Sequence, residues 1–83
     1  MIIIDNDTNK KTDNICILLK YSEAVELRDA LNQLIEASDF NTHHHVNSED
    51  FSREITIAMY NETHLDSFNE RIRKLIIEDD NIE

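Results

Sequence analysis

Not one of the 83 residues is glycine, and none is proline. Every reversal of the chain that needs a positive φ must therefore use Asn or Asp, the other residues that visit the left-handed region at modest cost. Asn6, Asn9, Asn14, Asn41, Asn47 and Asn61 all fall between periodic segments, as this demands. The same absence removes the glycine-rich loops that cradle phosphates. It also removes the EF-hand reading of Asp5 and Asp7, whose calcium loop needs a glycine at its sharp turn.

Between those connections the apolar residues set the elements. Met1 to Ile4 is a short β-branched run and Ile15 to Tyr21 a longer one, which together read as a hairpin around the polar stretch Asp5 to Asn14. From Ser22 the period lengthens, with Leu27, Leu31, Leu34 and Ile35 on one stripe of an amphipathic helix that Ser22 is placed to cap. His43 to Val46 and Ile55 to Tyr60 flank a polar segment and predict a second hairpin, with Ile55, Ile57 and Met59 facing inward. A second helix is expected at Leu65 to Glu78, carrying Phe68, Ile72, Leu75 and Ile76, with Thr63-x-x-Asp66 resembling a capping box. The tail 79–83 has few apolar anchors and is expected to fray.

The helical stripes repeat at a spacing of 41 residues, Leu27, Leu31, Leu34 and Ile35 against Phe68, Ile72, Leu75 and Ile76, each after an Ile-x-Ile strand. Each helix has one apolar stripe to bury, so the economical fold class is α+β, with element order ββαββα. The expected architecture is a two-layer sandwich, a four-stranded mainly antiparallel sheet with both helices on one face. Residues 1–83 are one domain on this reading. Leu, Ile, Val and Phe supply 24 residues, more than the roughly one-fifth below which a charged chain stays disordered.

Eight Lys and Arg against eighteen Asp and Glu leave a net charge of −10. Such a field repels phosphate backbones, which argues against a nucleic-acid partner. No apolar run approaches the ~20 residues that span a bilayer, so no membrane partner is expected. One cysteine cannot form an internal bridge and suits a reducing, cytoplasmic setting. Cys16, between Ile15 and Ile17, is expected to be a buried, inert thiol. No catalytic pattern and no cofactor motif emerges, so the chain is read as a non-enzyme.

Two features remain that bear on binding. His43, His44 and His45 lie in a predicted strand, where His43 and His45 share one face and are the candidate metal ligands. Glu49, Asp50 or His64 is a further donor only if folding brings it near. The second feature is the outer side of the expected sheet, where Leu18, Ala58 and Tyr60 make a partly apolar surface suited to a partner or a homodimer. With the carboxylates Glu49, Asp50 and Glu54, Leu18 and Tyr60 form the candidate partner-binding set. In size and charge the chain is similar to small bacterial immunity proteins and phage-encoded inhibitors, a likeness of composition that transfers no residue roles. It implies a noncatalytic protein that binds a basic protein partner, as an inhibitor of a toxin or nucleic-acid enzyme does. The alternative is a metal- or pH-responsive binding protein built on His43 and His45.

Overall fold

The computed structural model describes residues 1–37, 42–61, 68 and 70–80. They form an α+β chain in the order ββαββα: β1 (Ile3–Asp5), β2 (Lys10–Thr12), α1 (Tyr21–Ala37), β3 (His43–Asn47), β4 (Glu54–Ala58) and α2 (Glu70–Asp80). The class and order agree with the sequence, but the sheet does not. Among the described residues β1 pairs only with β2 and β3 only with β4, giving two separate two-stranded antiparallel sheets in place of one four-stranded layer.

The difference begins in the first hairpin. β1 turns back at once to the polar Lys10–Thr12, with Ile3 opposite Thr12 and Asp5 opposite Lys10, so the apolar segment 15–20 is no strand. Shortening a loop by half gains only about 0.6 kcal/mol, which does not decide the pairing alone. The turn adds local bonds: the Asp5 carboxylate accepts from the Asp7 amide at 2.9 Å, and the Asp5 carbonyl accepts from the Asn9 amide at 2.8 Å. Each such bond is worth about 0.5–1.5 kcal/mol net. Asn9 takes φ 61°, the role that a glycine-free turn assigns to asparagine. Ile15 and Ile17 are left about half exposed and Leu18 is 88% exposed. Cys16 is exposed as well, not buried.

α1 starts one residue before the expected cap, and Ser22 lies inside it. Lys20 takes the cap position: its carbonyl accepts from the Ala24 amide at 2.9 Å, and its amide donates to the Glu23 carboxylate at 2.9 Å. This is the acidic half of a capping box, with Glu23 also well placed against the helix dipole. The helix packs on β3, and the stripe it buries is narrower than its apolar face. Ala30 and Leu34 are buried, while Leu31 and Ile35 stand 44% and 64% exposed. A two-stranded ribbon covers less of a helix than a four-stranded layer does, so the outer half of the expected stripe is uncovered.

The second hairpin follows the alternation closely. β3 and β4 pair with His44 opposite Ile57 and Val46 opposite Ile55 on the inner face. Val46 is buried, and Ile55 and Ile57 are half-buried between exposed Glu54, Thr56 and Ala58. Among the described residues Ala30, Leu34, Val46 and Ile76 are the buried apolar ones, each large side chain contributing about 1.5–3 kcal/mol. α2 begins later than expected, at Glu70, and runs through Asp80. Arg71 on this helix donates to the Asn9 side chain and so reaches the β1–β2 turn. The proposed cap at Thr63 and Asp66, the stripe residue Leu65, His64 and the last three tail positions lie outside the described residues.

Candidate functional site

The β3–β4 turn is built by serine and aspartate. The Ser48 amide donates to the Arg53 carbonyl at 2.9 Å and the Phe51 amide to the Ser48 carbonyl at 2.9 Å. One oxygen of Asp50 accepts from the Ser48 hydroxyl at 2.8 Å, the Ser52 amide at 3.0 Å and the Ser52 hydroxyl at 2.7 Å. These bonds, those of Ser52 foremost, hold the Asp50 carboxyl well below the usual carboxylate range. Against the expectation that Asn or Asp takes every positive φ, the turn closes with Phe51 at φ 60°, a conformation uncommon for a bulky residue and costly by about 1–2 kcal/mol. Its ring is 78% exposed.

This turn docks onto the start of α1. The Glu23 carboxylate, which caps the helix with one oxygen, accepts from the Glu49 amide with the other at 2.9 Å. Ser22 donates to the Glu49 carboxylate, and the Lys20 ammonium lies 3.2 Å from it. The Ser22 hydroxyl, and then Lys20, lower the Glu49 carboxyl from its ordinary value. In return the Glu49 carboxylate raises the Lys20 ammonium. Between the two elements lies a cleft of about 260 Å³, lined by Ser22, Glu23, Glu26, Asn47, Ser48, Glu49 and Phe51. It holds three carboxylates and an aromatic ring, the chemistry that receives a lysine or arginine side chain.

The expected partner-binding residues separate. Glu49 lines the cleft and Asp50 stabilises the turn beneath it. Glu54 lies on the outer face of the hairpin, 2.9 Å from His45. Leu18 precedes α1 outside any strand and Tyr60 follows β4, half-buried, so among the described residues no strand carries either onto a sheet face. Glu23, Glu26 and Phe51, outside the expected set, line the cleft as well. The signal for Phe51 was legible, an aromatic set in the run Ser48-Glu49-Asp50-Phe51-Ser52. That Glu23 and Glu26 face this turn depends on packing.

His43 and His45 do share an exposed face, with ring centroids 4.9 Å apart and nearly perpendicular planes. Among the described residues no third His, Cys, Asp or Glu joins them in a ligand group. A second groove, of about 440 Å³, runs along the uncovered side of α1 past Leu19, Leu27, Leu31 and Ile35. Among the described residues no helix is long and apolar enough to cross a membrane. No protein-family model, curated protein or solved structure matches this chain.

Proposed function

We propose that this chain is a noncatalytic acidic interaction protein of the cytoplasm that binds a basic protein partner, as an immunity protein or an inhibitor of a toxin or nucleic-acid enzyme would. The observation that carries the reading is the cleft between the α1 N-terminus and the β3–β4 turn. There Glu23, Glu26 and Glu49 meet an exposed Phe51, on a chain of net charge −10. The overall field speeds encounter with a cationic surface. The cleft then receives one basic side chain, its charge against the carboxylates and its stem or guanidinium plane against the ring. Phe51 is held out by the turn in a conformation that costs energy, an expense of the kind concentrated at functional sites.

The test is capture of proteins from the native source on the immobilised chain, compared with a Glu26→Lys, Phe51→Ser variant. The expected result is a basic protein retained at low salt, released as salt rises, and held at least tenfold more weakly by the variant. Equal retention by both forms, or retention of no basic protein, would overturn the reading.

A further inference from the structure

The outer face of the β3–β4 ribbon carries a second arrangement, chemically unrelated to the acidic cleft. His43 and His45 stand two residues apart on β3 and project to the same side, opposite Ala58 and Thr56 on β4. Both are exposed. Their ring centroids are 4.9 Å apart. Two imidazoles bound to one ion at about 2.0–2.1 Å, with an angle near tetrahedral, place their centroids about 5 Å apart. The pair therefore already has the separation that a shared ion requires.

The neighbouring strand supplies orientation. The Glu54 carboxylate lies 2.9 Å from Nδ1 of His45, and the Thr56 hydroxyl is 3.0 Å from the same nitrogen. Because a carboxylate only accepts, the neutral ring carries its proton on Nδ1 and keeps its lone pair on Nε2. A carboxylate behind a histidine is the arrangement that fixes tautomer and ring direction for metal ligation. The surrounding charge of −10 further favours a cation.

We propose that His43 and His45 form a two-imidazole site for a late divalent transition-metal ion of the copper, nickel or zinc class, with Glu54 as a positioning residue that presents Nε2 of His45. Two protein ligands leave the ion's other positions to water. The ligand type sets the selectivity: imidazole prefers copper over nickel and zinc and has little affinity for magnesium, whereas nonspecific attraction to surface carboxylates makes no such distinction.

Calorimetric titration of the full chain with copper, nickel, zinc and magnesium chlorides tests the proposal. Saturable binding is expected, tightest for copper and undisturbed by excess magnesium, together with a melting temperature that rises with copper concentration. His43→Ala and His45→Ala should each weaken copper binding at least tenfold, whereas His44→Gln, on the opposite face, should leave it unchanged. Glu54→Gln should weaken it about tenfold, and ring nitrogen NMR of that variant without metal should show the two His45 tautomers mixing. Displacement of copper by magnesium, or wild-type affinity in His43→Ala and His45→Ala, would overturn the site. Unchanged affinity and an unchanged His45 tautomer in Glu54→Gln would overturn the role of the carboxylate.

Discussion

Segments 15–19 and 43–47 invert the simplest expectation about strands. The first, Ile15-Cys16-Ile17-Leu18-Leu19, is wholly apolar, yet it joins no sheet and leaves Leu18 88% exposed. The second, His43-His44-His45-Val46-Asn47, holds one aliphatic residue, yet it is a paired strand against α1 and buries Val46. What separates them is the availability of a partner with a good turn. Glu54–Ala58 alternates in step with β3 and is joined to it by a turn that Asp50 and two serines hold together. Segment 15–19 loses its natural partner to Lys10–Thr12, which reaches β1 through the turn at Asp5 and Asn9. β-propensity is an outcome of neighbours, not a property of a run.

The strongest way to break this comparison is to remove what the second ribbon buries. Leu34→Ala should cost about 2–5 kcal/mol in urea unfolding, since Leu34, on the helix that packs on that ribbon, is only 2% exposed. Leu18→Ala should change stability by about 0.5 kcal/mol or less. A Leu18→Ala loss as large as that of Leu34→Ala would mean that the first segment is covered after all.

The turns offer a sharper contrast of intermediate size. Phe51→Gly should stabilise the chain by about 1 kcal/mol, because glycine adopts φ 60° without a Cβ penalty and the lost ring is largely solvated. Asn9→Ala should destabilise by about 1 kcal/mol at the corresponding position of the first turn. Chemical denaturation curves with unchanged slope would report both. Cys16 sharpens the comparison without unfolding anything. Its thiol is exposed, so a disulfide reagent should label it in the native protein about as fast as in urea, and much slower native labelling would mean that segment 15–19 is covered.

The smallest effect concerns acid. Asp50 and Glu49 have folded values lowered by hydrogen bonds to Ser52 and Ser22 respectively. Their contribution is therefore present above the ordinary carboxylate values, about 3.9 and 4.3, and is lost as pH falls through the folded values. Lys20, raised by Glu49, contributes below about 10.4 and stops contributing as pH rises through its folded value. Asp50→Asn should flatten the acid limb of the stability curve below about pH 4 and leave the alkaline limb in place, as read from thermal melts across pH.

These contrasts also mark what the sequence reveals. Element order, the second hairpin with Ile55 and Ile57 inward, the shared face of His43 and His45, and asparagine in the left-handed turn position Asn9 all follow from local pattern and chain geometry. Register in the first hairpin does not, because two segments, 10–12 and 15–20, compete for β1, and the nearer one is joined to it by the turn bonds at Asp5. The described residues form two separate ribbons in place of the single four-stranded sheet, and Cys16 is exposed where burial is expected. The cleft is legible only in part: the charge of Glu49 marks it in the sequence, while Glu23, Glu26 and Phe51 are assembled by a contact between residues 26 positions apart in sequence.

Glu23 gives this contact a further meaning. One carboxylate ends the free amides of a helix and receives the amide of a turn in the next ribbon, so fraying at either place removes a bond from the other. Helix initiation and ribbon closure thus become one cooperative unit in the sense of native-state exchange. The Lys20 and Glu49 amides should open with a common free energy, and Glu23→Ala should release both at once.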